Sequence, residues 1–359
     1  MIARASRLLR KQTASVLAAG AAWIVLLNVA TFVLFGILNP AFLSAAAVTA
    51  VMASAGAIII LTVGQAVLLA SGHLDISVGA NVIVSSVVAA QVMNLFRVAG
   101  PAVGESRLYQ DPALAIFIGL IGALLAGGLF GFVNGLIVTR LKVNALIATL
   151  GTFGIGMGLG LVLTNGSDVH GLPRELNSQF GNATLLGVIP LHAVAALLIA
   201  AVVWVAMYRT KFGIHILAIG SNRSAADRAG ISVNAHIVSA FTIVGALCGF
   251  VGFIDIARLT TTNLGGHQTD ALASIAGAVI GGTSLFGGSV SVIGAVFGGL
   301  FAVLLVIGFI VQGIPPWYNL MAVGAVLIAA VMLDQWRRRP RPEKQADEAV
   351  PAAKSTIEP

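Results

Sequence analysis

Charge is what this sequence has least of. Asp, Glu, Lys and Arg make up 9% of its 359 residues, whereas a soluble domain carries roughly 25%, so an ordinary water-exposed surface is excluded. Cysteine occurs once, as Cys248 in an apolar run, and a single thiol cannot staple a fold by an internal disulfide. None of the lysines, Lys11, Lys142, Lys211, Lys344 and Lys354, follows a glycine. No phosphate loop of the form GxxxxGKS or GxxxxGKT can therefore be drawn, which excludes ATP hydrolysis by that route. The string "GGTSLFGGS" at 281–289 lacks the phosphate-binding lysine and reads as a turn between two membrane segments. The six histidines, His73, His170, His192, His215, His236 and His267, fall in six segments without HExxH spacing, so no metal centre is expected. GxSxG is also missing, and catalytic residues are expected nowhere.

Apolar residues, at 58%, are what the chain has instead. Runs long enough for a hydrocarbon core of about 30 Å lie near 14–38, 46–70, 76–96, 112–139, 143–164, 185–207, 234–257, 290–311 and 317–334, with a shorter, glycine-interrupted one at 271–285. The expected fold class is an all-α polytopic membrane protein of about ten transmembrane segments. "MIARASRLLRKQ" precedes an apolar stretch longer than a signal-peptide core, so it reads as a basic leader to a retained first span. The net charge of +7 follows topology and gives no nucleic-acid patch. With both termini cytoplasmic, 16 of the 20 basic residues face inward, as the positive-inside rule requires. The expected organisation is a cytoplasmic N-terminus (1–13), a membrane domain (14–336) with a cytoplasmic loop at 208–233, and a polar, proline-bearing disordered tail (337–359).

Gly127, Gly131 and Gly135, Gly294 and Gly298, and Gly154, Gly156, Gly158 and Gly160 read as sites of close helix approach in lipid. "LDISVGANV" (74–82) and "GGSVSVIGAV" (287–296) echo one another, each a polar break before a span. Such breaks are where transporters place binding regions. Asp75 reads both as a helix N-cap and as lining of a solute path. Gln65, Asn81, Asn134, Asn144 and Thr149 suit either a polar neutral cargo or hydrogen bonds between helices. Asp255 and Arg258, three apart on one helix, are expected to pair. An ion-driven carrier would need acidic or histidine relays deep in the bundle, and the sequence reads as having almost none.

One island departs from the apolar text: "FGIHILAIGSNRSAADRAGI" (212–231). Ser221 or Asn222 can cap a short helix over 224–229, closed by Gly230. So short a helix is marginal alone, and alanines 225 and 226 beside charges at 223, 227 and 228 suggest a plug for a partner's groove. Here the residues resemble the permease subunits of bacterial ATP-binding-cassette importers, in the branch of ribose, xylose, arabinose and galactoside permeases. "SAADRAG" is similar to that family's coupling loop, with Ser224 where Glu is common. "VGQAVLLASGHLDISVGA" (63–80), "KVNALIATLGT" (142–152) and "SIAGAVIGGTSLFGGSVSVIGAVFGG" (274–299) resemble further segments of the branch in the same order.

The resemblance implies an importer permease fold without ATPase activity of its own. It implies a coupling loop of Asn222, Arg223, Ser224, Ala225, Ala226 and Gly230 that docks on a cytoplasmic ATPase subunit, where ATP and magnesium are used. Further implied partners are a solute-binding protein and a second permease chain, in the bacterial cytoplasmic membrane. A monosaccharide is the expected cargo, with a nucleoside or branched-chain amino acid as the alternative. Ser71, His73, Ala271, Ala273, Ser289 and Ser291 depart from the branch's usual residues, and those near 71–73 and 270–273 bear on which solute is carried.

Overall fold

The computed structural model describes residues 22–98, 109–315 and 317–338. The basic segment 1–13, the start of the first expected span, Arg107 and the tail beyond 338 lie outside the described residues. The chain is helical: α1 (Ala22–Leu38), α2 (Ala45–Ala70), α3 (Val78–Asn94), α4 (Pro112–Thr139), α5 (Ala145–Thr164), α6 (Leu191–Arg209), α7 (Lys211–Ser221), α8 (Arg223–Arg228), α9 (Val233–Leu259), α10 (Asp270–Ile280), α11 (Val292–Val311) and α12 (Trp317–Arg338). Among the described residues, six of these, α2, α4, α5, α6, α9 and α11, are long and apolar enough to cross a membrane. α10 has 11 residues and rises about 16 Å. It is too short to cross a hydrocarbon core of about 30 Å by itself, and the chain returns through a loop to α11.

Polar residues set where the helices begin. Ser44 accepts from the Ala47 amide, Asp111 from Leu114 just ahead of Pro112, Asn144 from Leu146, and Ser291 from Gly294. Each satisfies an amide that the first helical turn leaves without a partner. Asp75 does not cap in this sense. Its Oδ1 accepts from the Ser77 amide at 2.7 Å and the Ser77 hydroxyl at 2.5 Å, a turn that folds the chain ahead of α3.

α3 and α9 form the buried centre with the second half of α2. α4 lies against α9 through glycines: a Cβ on Gly127 or Gly131 would collide with the carbonyls of Gly245 or Phe241, and one on Gly135 would stand 2.8 Å from the Val238 backbone. Gly277 and Gly281 of α10 and its following loop meet Gly298 and Gly294 of α11 in the same way. In α5 the expectation holds for Gly156 and Gly160, which face Ala80 and Ile83, while Gly154 and Gly158 face nothing within 4 Å.

The string echoed at 287–296 meets the chain just ahead of the one at 74–82, at the end of α2 and the turn after it. The Gly288 amide donates to the Ala70 carbonyl at 3.0 Å, and a Cβ on Gly287 would stand 3.0 Å from the Gly72 nitrogen. Both lie at the end of the bundle that carries α7 and α8. At the opposite end a short hairpin, β1 (Thr184–Leu185) with β2 (Ile189–Pro190), packs against α2 and α6, with Thr49 donating to the Val188 carbonyl, and a turn at Asn177–Gly181 packs over α9. There Asn177 donates to the carbonyls of Ala257 and Arg258.

Candidate functional site

The break between α2 and α3 gathers five of the six polar residues singled out in the sequence. Gln65 Nε2 donates to the Asp75 carbonyl at 2.7 Å, Thr149 Oγ1 accepts from the Ile76 amide at 3.1 Å, and Asn134 Nδ2 donates to the Ser77 hydroxyl at 2.8 Å. One turn further, Asn81 reaches the carbonyls of Gly127 and Gly245 and accepts from Ser85. These five side chains are 0–2% exposed. Gln65, Asp75 and Thr149 bond to the non-helical backbone of the break, whose polar groups have no regular partners of their own, while Asn134 holds the Ser77 side chain and Asn81 ties α3 to α4 and α9. Gln65 Oε1 and Asn134 Oδ1 remain without a hydrogen-bond partner, so the network holds spare acceptor capacity.

Asn144 stands apart, exposed at the start of α5. It lines a hollow of about 600 Å³ with Gly72, His73, Leu74, Lys142, Arg223 and Asn234. That hollow puts the break and the α8 region on a common wall. Ser77 is the residue that sequence reasoning passed over. It joins Asp75 to Asn134, and the D-x-S spacing inside an apolar run was the signal available for it.

The island is two helices, where the sequence suggested one. α7 buries Gly213, Ile216 and Ile219, then Asn222 turns the chain, accepting from the Ala225 amide and the Ser224 hydroxyl. The cap is thus Asn222, and α8 starts at Arg223. Gly230 has φ +80°, the left-handed conformation that ends a helix without a Cβ penalty. Ala226 is buried in the chain's own core, which corrects its reading as part of a surface offered to a partner. Arg223, Ser224, Ala225, Asp227 and Arg228 are exposed. Arg223 donates to Asn234 at 3.1 Å, and a second hollow, of about 680 Å³, opens between these residues.

One expectation about charge is overturned. Asp255 does not pair with Arg258; its Oδ2 lies 3.0 Å from His267 Nε2, and the same imidazole's Nδ1 lies 2.7 Å from Asp270 Oδ2. Arg258, on the same helix, was the neighbour visible in sequence, but the 260–269 loop folds back and brings His267 closer. A half-buried His–carboxylate cluster therefore exists at the loop between α9 and α10, which the sequence did not reveal. Ionised carboxylates only accept, so both ring nitrogens must donate, which makes His267 an imidazolium. Burial opposes that charge, and the two carboxylates outweigh it, pushing the imidazole up to about 10. His215 and His236 also meet, at 2.9 Å. Among the described residues no three His, Cys, Asp or Glu side chains form a metal-binding group.

Comparison with known proteins adds a second line. The family described as "Branched-chain amino acid transport system / permease component" matches residues 47–331. The D-allose transport system permease protein AlsC of Escherichia coli (strain K12) is 33% identical over 304 residues, 84% of this chain and 87% of that protein. The autoinducer 2 import system permease protein LsrC of Escherichia coli (strain K12 / DH10B) is 33% identical over 84% of this chain and 83% of its own length. The fructose import permease protein FrcC of Rhizobium meliloti is 30% identical over 87% and 84%. No solved structure matches.

Proposed function

Since the chain belongs to the family of branched-chain amino acid transport system permease components, as a multi-pass permease subunit of the sugar-importer type, we propose that it carries a monosaccharide or a similar polyhydroxylated solute. The observation that supports this cargo most directly is the likeness to D-allose and fructose permeases over more than four-fifths of both chains. The uncharged hydrogen-bonding groups around the break fit the same reading. A sugar presents hydroxyl donors, and Gln65 Oε1 and Asn134 Oδ1 are acceptors without partners. They are buried in this conformation, so they reach cargo only in a state where the break opens.

In this reading ten segments lie in a bacterial cytoplasmic membrane, with both termini and the α7–α8 island inside. The exposed face of α8 takes up the ATPase subunit, which supplies ATP and magnesium chemistry. A binding protein delivers the solute to the opposite end. ATP can switch the path only if its two states bind the loaded ATPase with different free energies. A second permease chain completes the path, and we assign that contact to α5, whose Gly151, Gly154 and Gly158 face nothing within 4 Å.

The test is uptake by the complex of this chain with its ATPase and binding protein in liposomes, across pentoses, hexoses, nucleosides and branched-chain amino acids. ATP-dependent uptake of a sugar supports the reading. Uptake of leucine or a nucleoside alone replaces the cargo, and uptake that follows an ion gradient without the ATPase overturns the mechanism.

A further inference from the structure

α10 is anchored at both ends. Beyond its C-terminus, the loop 281–291 touches both the α2–α3 break and α7. The Gly288 amide donates to the Ala70 carbonyl at 3.0 Å, and Gly220 and Ser221 at the end of α7 pack against Gly287 and Gly288. Tyr208 at the end of α6 donates to the Val290 carbonyl in the same loop. About 16 Å away along the helix, the N-terminus is held by Asp270, gripped with Asp255 of α9 by His267.

His267 is itself tightly placed. Its φ is +61°, outside the range most side chains favour, and its carbonyl packs on Gly79 so closely that any Cβ there would collide. Gly79 is the second residue of α3, directly after the break. One residue therefore ties together the start of α3, the end of α9 and the start of α10. Along α10 and just beyond it, Gly277 packs on Gly298 and Gly281 on Gly294, backbone to backbone, which holds the helix closely against α11. Close-packed elements of this kind shift as units rather than deform.

We propose that His267 is a positioning residue for transport: it fixes the far end of α10, so that displacement of the α7–α8 island is transmitted through the 281–291 loop and α10 to the mouth of α3 and the end of α9. This rests on the reading that α8 takes up the ATPase. The groups that surround the imidazole are few. α9 presents Asp255 and Arg258, α10 presents Asp270, and α3 presents the backbone of Gly79 and carries no ionisable side chain. Asp75, ahead of α3, is committed to Ser77. Asp168, across the neighbouring loop, is committed to Thr262 and Leu264. The cation between Asp255 and Asp270 is thus the only bridge between their carboxylates among the described residues, and a neutral side chain brings no charge to hold the two together.

The experiment uses the assembled complex in nanodiscs and compares basal ATPase with ATPase stimulated by cargo-loaded binding protein, from about pH 7 to pH 10. In the wild type, stimulation is expected to decline above about pH 9, as the imidazolium is lost. His267→Gln is expected to keep basal ATPase, lose at least about fivefold of the stimulation at neutral pH, and show no alkaline decline of its own. Asp270→Asn, which leaves the imidazole in place, serves if the first variant does not fold, and is expected to lose stimulation in the same way. Full stimulation in either folded variant, with the wild-type pH profile, overturns the proposal. A wild-type complex that shows no stimulation at all overturns instead the ATPase-coupled reading beneath it.

Discussion

Gly220 rests on the main-chain carbonyl of Ala70, and a Cβ at position 220 would collide with that oxygen. This joins the last turn of α7 to the last residue of α2, where the α2–α3 break begins. Nothing larger than glycine lets the island and the break touch. The same small-residue contact continues to Gly288, whose amide bonds the same carbonyl.

Gly220→Ala is therefore expected to push α7 away from α2 and to destabilise the protein by about 1–3 kcal/mol, as overpacking does. Gly324→Ala in α12, where nothing lies within 4 Å, is expected to be neutral or to stabilise its helix by about 0.5–1 kcal/mol. Thermal unfolding in detergent compares the two. Equal melting temperatures would remove the argument for a close contact at 220.

Asn222→Ala removes the cap of α8, a change worth about 0.5–2 kcal/mol locally. α8 has six residues and little helix to spare, so the expected outcome is faster amide exchange at Ala225 and Ala226 with unchanged protection in α9. Stimulated ATPase should fall with it. Unaltered exchange at Ala225, whose amide Asn222 holds, would show that packing of Ala226 suffices.

Ser77→Ala strands the buried Asn134 Nδ2 and removes one of the two hydrogen bonds that Asp75 Oδ1 accepts, leaving only the one from the residue 77 amide. Unsatisfied buried polar groups cost about 1–3 kcal/mol each, so the loss should exceed that of Asp75→Asn, which keeps an acceptor oxygen. If Asp75 serves only the turn, Asp75→Asn leaves the order of cargo preference as in the wild type. A changed order of sugars in the uptake panel would place Asp75 on the path.

The His267 imidazole ordinarily titrates near 6.5 and is raised to about 10 here. A folded-state pKa raised above the unfolded value means that folding binds the proton more tightly. The resulting stability is complete below about pH 6.5 and drains away as pH rises towards 10. The melting temperature should fall across that window in the wild type. In His267→Gln the contribution of this group, and its share of the slope, should vanish.

The sole cysteine, Cys248, is buried, which makes the chain suited to crosslinking. Gly154→Cys, on the bare face of α5, is expected to give a disulfide-linked dimer on mild oxidation in membranes if two copies of this chain pair there. Gly156→Cys, which faces Ala80 and Phe130 of its own chain, is expected not to. Crosslinking at neither position, in an active complex, would move the second permease chain to another face or make it a different protein.

The sequence by itself determined that the chain is helical and apolar, where most segments lie, and which glycines of α4 and α11 meet a neighbour. Hydrophobic run length and small-residue spacing are local properties, and the lipid solvent makes them decisive. It also marked Gln65, Asp75, Asn81, Asn134 and Thr149, because a polar side chain stands out in an apolar run. Only the tertiary structure decided what those residues bond to. Asp75 and Ser77 are neighbours in sequence, but Asn134 comes from a helix 57 residues away. The partner of Asp255 was misread for the same reason. Arg258 lies within one helical turn, whereas His267 reaches Asp255 through a loop, and no periodicity encodes where a loop folds back. Ala226 passed for a partner-facing residue until the fold buried it, since a helix of six residues has too little pattern to declare which face its own chain will cover.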